Sequence, residues 1–146
     1  QTATYLRTGT PLHHLKLHGA LYHLSETDPA IRAALLTFLQ NTPTTLICLA
    51  GGQVAQAATH LKLPILQEAF LDRHYQPDGQ LLPRTHPEAL IHHLPTLTER
   101  LRAWQHAQPI PAIDGTPLHL HPDTLCVHSD SPDAPTLLRH ATQLLA

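Results

Sequence analysis

The chain has 146 residues, a formal charge of −2 with histidines neutral, 14 histidines, 14 prolines and only two lysines, Lys16 and Lys62. That length supports a single domain over residues 1–146 with its own core. The near-neutral balance leaves no electrostatic footprint for nucleic acid or an anionic membrane. No apolar run approaches the ~20 residues that a membrane-spanning helix needs, so neither partner is expected.

Leu12 to Leu17 reads as a first strand. Asp28-Pro29 signals a helix start, with Asp as N-cap and Pro at the first helical position. The helix Pro29 to Gln40 follows, with Ile31, Leu35, Phe38 and Leu39 spaced for one buried face, and Asn41-Thr42-Pro43 ends it. Thr45 to Ala50 is continuously apolar, as a strand covered on both faces should be. Gly51-Gly52 breaks it, and a helix is expected from about Gln53 to Leu61. Pro64 to Phe70 reads as a third strand. His86 to about Gln105 reads as a long helix, kinked or split at Pro95. Ile113-Asp114-Gly115-Thr116 marks a turn. His119 to His121 reads as a short strand, Leu125 to Val127 as another, and a helix from about Pro132 to Leu145 closes the chain. Strands alternating with helices predict an α/β fold, mostly parallel, with right-handed crossovers.

Cys48 and Cys126 lie inside apolar runs and read as core thiols. Neither belongs to a C-x-x-C pair, so a thiolate zinc site is not expected, and a cytoplasmic location fits. His92, His93 and His106 have no partner pattern and read as surface residues. The chain begins at Gln1 without a basic-then-apolar leader, which reads as a processed chain or a fragment.

Three polar clusters follow predicted strands, where α/β folds place their chemistry. In the first, Lys16 and His18 are two apart and face one side, Gly19 lets the backbone approach a ligand, and Tyr22 offers a hydroxyl. Alternatively, Lys16 is an edge-strand charge and His18 a satisfied polar group. In the second, Glu68, Phe70 and Asp72 share a face if the strand runs that far. Paired carboxylates there can act as a general base or bind a metal, and Arg73 and Arg84 can hold an anion. The bland alternative is a surface network of carboxylates and guanidinium groups. Pro77-Asp78-Gly79 reads as turn chemistry. In the third, Cys126, His128 and Asp130 alternate. A Cys-x-His pair invites a thiol nucleophile, but side chains on one strand face point in parallel, so Cys126 reads as packing and His128 and Asp130 as site candidates. Gly51-Gly52 can admit a phosphate to a helix N-terminus, but it matches no Walker or dinucleotide motif and reads rather as a plain strand-to-helix turn.

The segments KLHGALYH (16–23), EAFLDRHYQPDGQLLPR (68–84) and IDGTPLHLHPDTLCVHSD (113–130), in this order and spacing, resemble the LamB/YcsF family, the A subunits of 5-oxoprolinases. Leu17 replaces the family's proline in Lys-Pro-His-Gly, and Ser129 replaces the second glycine of Cys-Val-His-Gly-Asp. The family's opening Asn-Cys-Asp-x-Gly-Glu strand and its Cys-Gly-x-His-x-Gly-Asp motif have no counterpart, so the chain resembles the C-terminal part of such a protein.

The resemblance implies a partial (β/α) barrel of the glycoside hydrolase/deacetylase type. It also implies ATP-dependent opening of the lactam 5-oxoproline to L-glutamate, with partner subunits B and C, one of which is a candidate to hold the ATP. On this reading Glu68 or Asp72 is the general base, and His18 or His128 an acid or base. Lys16, Arg73 and Arg84 meet phosphate or oxyanion charge, with Tyr22 and Asp130 as further binding groups. Two alternatives stay open: a hydrolase or deacetylase with a divalent metal on His18, His128 and a carboxylate, and a non-catalytic lactam-binding subunit.

Overall fold

A computed structural model describes residues 12–128 and 134–145. Their elements run β1 (His14–Lys16), α1 (Ala20–Thr27), α2 (Pro29–Gln40), β2 (Thr45–Leu49), α3 (Gln53–His60), β3 (Ile65–Phe70), α4 (Leu94–Gln105), β4 (Ile110–Pro111), β5 (Pro117–Leu118), β6 (Thr124–Cys126) and α5 (Ala134–Leu145). The strand order of the four-stranded sheet is β1-β2-β3-β6, and β4 and β5 form a separate antiparallel pair. The chain divides into two compact units, Gln1–Gln67 and Glu68–Ala146. Among the described residues no helix is long and apolar enough to cross a membrane.

In the first unit β1 and β2 pair in parallel, His14 opposite Thr45 and Lys16 opposite Ile47. The backbone N–H of Leu46 donates to the Pro64 carbonyl ahead of β3. Helix α2 starts where the sequence signals it. The Asp28 carboxylate accepts from the N–H groups of Ala30 and Ile31 at 2.8 and 3.3 Å, satisfying donors that a first helical turn leaves open. Leu36 and Leu39 of α2 pack with Leu46, Cys48, Val54, Ala55 and Ala58. Phe38, expected on the buried face, is instead 38% exposed.

Helix α1 carries no start signal in the sequence. Its N-cap, Gly19, has φ 57° and contributes no side-chain bond. The helix is held at its other end: Arg32 donates to the carbonyls of Ser25 and Glu26, and the Asp28 N–H to that of Leu24.

The Gly51-Gly52 turn is closed to phosphate by internal partners. Gly51 N–H donates to the Gln67 side chain, Gly52 N–H to the Leu49 carbonyl, and Gln53 N–H to the Glu26 carboxylate at 2.6 Å. Glu26, 4% exposed, thus supplies from α1 the anion that the N-terminus of α3 favours. Gly52 is required by this contact, since a Cβ there would stand 2.5–2.8 Å from the Glu26 carboxyl atoms.

The second unit holds the end of β3, in parallel register with β6: Glu68 opposite Thr124, Ala69 opposite Leu125 and Phe70 opposite Cys126. Helices α4 and α5 pack together through Leu97, Leu101, Leu137 and Ala141, with Leu71 and Ile91. The long helix expected from His86 begins only at Leu94, and Pro95 lies in its first turn, where a missing N–H costs nothing. Residues 86–93 instead run beside the chain that follows β3, with Ala89 O accepting from His74 N and Ile91 N donating to Asp72 O. The turn at 113–116 joins β4 to β5. The expected strand at His119–His121 is absent, its place in the order taken by Pro117–Leu118. Cys48 is buried as expected, whereas Cys126 is only partly so, and neither forms a disulfide.

Gly52→Ala and Glu26→Ala should each cost about 1–2 kcal/mol of stability, the worth of a lost cap. Because both remove the same Glu26–Gln53 bond, the double variant should cost clearly less than their sum. Strict additivity in urea unfolding would show that the Gly52→Ala substitution leaves the carboxylate in place.

Candidate active site

The register of β3 against β6 generates the central contact. Continuing it by two residues sets Asp72 beside His128, and Leu71 N–H still donates to the Cys126 carbonyl at 3.0 Å. The Asp72 carboxylate then takes two bonds from one residue. Oδ2 accepts from the His128 backbone N–H at 2.9 Å, and Oδ1 lies 3.0 Å from His128 Nδ1. Phe70, on the same face as Asp72 by strand alternation, stacks on the His128 ring at 5.3 Å and 20°. The ring is thereby fixed in position and plane. With Nδ1–H donated to the carboxylate, Nε2 is the nitrogen left to accept a proton. The His128 side chain is 19% exposed against 2% for Asp72, so the imidazole forms the accessible end of the pair.

Burial pushes the Asp72 carboxyl up, but the bonds from the His128 ring and backbone, with the charge on that ring, outweigh it. Its pKa lies below the ordinary 3.8. The pair therefore joins a carboxylate that stays ionised to an imidazole of fixed orientation, an arrangement suited to taking a proton from a water or hydroxyl.

The backbone around Asp72 is held from several directions. Its own carbonyl accepts from Ile91 N–H at 3.0 Å, and Phe70 N–H donates to the Tyr75 hydroxyl at 2.7 Å. Burial pushes the Tyr75 phenol well up, keeping it neutral. Arg100, from α4, donates to the carbonyls of Phe70, Leu71 and Arg73. Its guanidinium lies over the rings of Tyr75 and Trp104 at 5.6 and 5.9 Å. Burial lowers its pKa to about 10, so it remains a cation at neutral pH. His74 is pushed down by burial first and by the Arg100 charge second.

Arg73 is placed differently from expectation. It is 1% exposed, with Nε donating to Ala89 O at 3.2 Å and Nη2 to Leu82 O. An anion in solvent cannot reach a guanidinium buried this way, so Arg73 is a brace between the stretches around Leu82 and Ala89. Arg84 is exposed. Pro77-Asp78-Gly79 is a turn, as expected: Gly79 has φ 82°, and the Asp78 carboxylate accepts from Gln80 N–H at 2.9 Å. Glu68 is 2% exposed and paired in register with Thr124.

Lys16 and His18 belong to the first unit, where with His14, Phe38, Thr42 and Thr44 they line a cavity of about 240 Å³. Tyr22 is buried there at 7% exposure. Asp130 lies outside the described residues. A cavity of about 810 Å³ in the second unit, bordered by Leu71, Leu101, Trp104 and Leu138, includes neither Asp72 nor His128. Its lining is mainly apolar, with Gln105, Asp123, Thr124 and Thr142 as polar members. Among the described residues no three His, Cys, Asp or Glu side chains are grouped to hold a metal ion.

The depressed pKa of Asp72 has a definite consequence for stability. The carboxylate's contribution is fully present above 3.8, its ordinary value, and is lost as pH falls from there through the lower folded value. Asp72→Asn should cost about 1–3 kcal/mol at neutral pH, the range for hydrogen bonds to a charged group. The gap between the two proteins should narrow below about pH 4. A gap in urea unfolding that stays constant from pH 7 to pH 3 would mean that Asp72 gains nothing from being ionised.

Comparison with known proteins agrees with this architecture. A 5-oxoprolinase A subunit from Bordetella pertussis is 38% identical over 128 residues, covering 86% of this chain and 51% of that protein. One from Natranaerobius thermophilus is 37% identical over 140 residues, covering 92% and 54%. The chain thus spans about half the length of these curated relatives. The crystal structure of a lactam utilization protein from Thermus thermophilus is similar with a TM-score of 0.77 at 32% identity, over 99% of this chain and 59% of that one. The expected α/β fold of partial (β/α)-barrel type is borne out by this likeness. The sequence model of the LamB/YcsF family matches residues 2–146, and the chain belongs to that family.

Proposed function

We propose that this chain takes part in hydrolytic opening of the lactam 5-oxoproline to L-glutamate as the A component of a 5-oxoprolinase, with His128 as general base. The observation that carries the reading is the Asp72–His128 pair, an ionised buried carboxylate bonded to the ring of a partly exposed imidazole. The names of the relatives supply the substrate class.

In the proposed reaction His128 Nε2 takes a proton from water as the water oxygen bonds to the lactam carbonyl carbon. The carbon–nitrogen bond of the ring then breaks, and the nitrogen takes the proton held on His128 Nε2 and leaves as the amino group of glutamate. Asp72 holds the ring and stabilises the imidazolium that forms, a division of labour known from other acid–base pairs. Asp72 thereby orients the base, and Glu68, on the same face, is a second carboxylate without the proton-accepting role. Lys16, His18 and Tyr22 of the first unit, and Arg84 and Asp130 of the second, are each proposed as reactant-binding groups.

ATP enters as co-substrate of an assembly with subunits B and C, and it supplies the driving force for opening a resonance-stabilised amide. The Gly51-Gly52 turn, the stretch whose sequence suggests a phosphate site, has its three N–H groups bonded internally, which supports placing the nucleotide on a partner. No step is assigned to a divalent metal; in that alternative His128 would offer Nε2, with its Nδ1 held by Asp72.

The test is glutamate release from 5-oxoproline by this chain with subunits B and C and ATP. His128→Asn and Asp72→Asn should each lower turnover about 10²–10⁴-fold while remaining folded. Glu68→Gln should lower it less than about tenfold, below the range for loss of a general base. A loss in Glu68→Gln as large as that in His128→Asn would transfer the base to Glu68. Lactam binding without turnover in the complete mixture would make the chain a carrier.

A further inference from the structure

Three of the four successive carbonyls from Phe70 to Arg73 accept from one side chain. Arg100 Nη1 reaches Phe70 O at 3.5 Å and Leu71 O at 3.4 Å, and it also bonds Arg73 O. The fourth, Asp72 O, accepts from Ile91 N–H. Beyond Phe70 the strand has ended, so these carbonyls lack the regular ladder that a sheet provides. Without donors they would be buried polar groups at a real cost. All three bonds come from Nη1, so its two N–H groups are shared among the three carbonyls at the end of a charged side chain.

The position is unusual for a charge. Arg100 is 4% exposed and lies on the helix face that also carries Leu97 and Leu101, both 1% exposed, and Trp104 one turn on. Its ring neighbours, Tyr75 and Trp104, accept a cation over their faces. The Asp72 carboxylate acts on it as a favourable opposite charge. A buried cation needs compensating partners, and the carbonyls that Nη1 meets flank Asp72 on both sides.

We propose that Arg100 is a positioning residue for the Asp72–His128 pair: by holding the carbonyls on either side of Asp72 it fixes the backbone from which that carboxylate reaches the imidazole, and so sets the single tautomer of His128. This assignment rests on the reading of His128 as the base. Its test reads the hydrogen bond itself and so can fail independently of any lactam activity.

The experiment is NMR of the whole chain labelled with 15N-histidine, with the His128 signals identified by their loss in His128→Asn. In the wild type with the ring neutral, Nδ1 should show the shift of a protonated nitrogen and Nε2 that of an unprotonated one. The Nδ1 proton should exchange slowly. Arg100→Gln keeps one donor group but removes the charge, and Arg100→Lys keeps the charge but removes the Nη1 group that meets the three carbonyls. Both should speed exchange of that proton at least tenfold and move the two 15N shifts toward the average of mixed tautomers. Leu97→Ala, on the same helix face but without a bond to these carbonyls, should destabilise the protein while leaving the His128 signals unchanged. An unchanged signature in folded Arg100→Gln and Arg100→Lys would overturn the proposal. So would equal disturbance by Leu97→Ala, since Arg100 would then act only through general stability. If one Arg100 variant does not fold, the other decides.

Discussion

The contact between Asp72 and His128 depends on a parallel register. Glu68 faces Thr124 and Phe70 faces Cys126, so the residue two further along each strand must meet its counterpart as the ladder ends. A slip of one residue would turn every side chain of one strand to the opposite face, and the carboxylate would point away from the imidazole. Packing secures this register from behind. Ala69 and Leu71 are buried on the alternate face, with Leu71 in the cluster formed by α4 and α5. The acid–base pair and the core of the second unit are two faces of one strand pairing.

The elements legible in the sequence are those fixed by local chemistry. Asp28-Pro29 carries both a capping carboxylate and a proline preset for a first turn, and α2 runs over the expected residues. The continuous apolar run at 45–49 and the alternation through 68–72 likewise survive intact. The elements that differ from expectation are those decided at a distance. Helix α1 begins at a glycine without a side-chain cap and is secured by Arg32, which the sequence places in the next helix. Residues 86–93 have enough helical character to suggest a long helix. Their backbone is nevertheless recruited by His74, Asp72 and Arg73 across the loop.

The site divides along the same line. Glu68, Phe70, Asp72, Cys126 and His128 fall into two alternating sets that are visible without any structure. Which member of one set meets which member of the other is a matter of register, and register is not written in either strand alone. Arg73 misleads because an arginine beside two carboxylates suggests anion binding, whereas its guanidinium turns inward to backbone carbonyls. Arg100 is absent from the sequence-based candidates although its signal is present: residues 97, 100, 101 and 104 have the spacing of one buried helix face, and an arginine in that stripe must find buried acceptors.

The Glu26 carboxylate at the start of α3 behaves as a ligand tethered to its own receptor. Joined to the site through the same folded unit, 27 positions away in sequence, it is present at an effective concentration set by geometry, and a tethered group of this kind outcompetes a free one that binds equally well. Inorganic phosphate or a nucleotide approaching the Gly51-Gly52 turn must therefore displace an occupant that never diffuses away. The same contact that closes α3 makes this turn refractory to the commonest anions of the cell. A fold rich in helix N-termini can in this way silence one of them and leave its anion chemistry to be placed elsewhere.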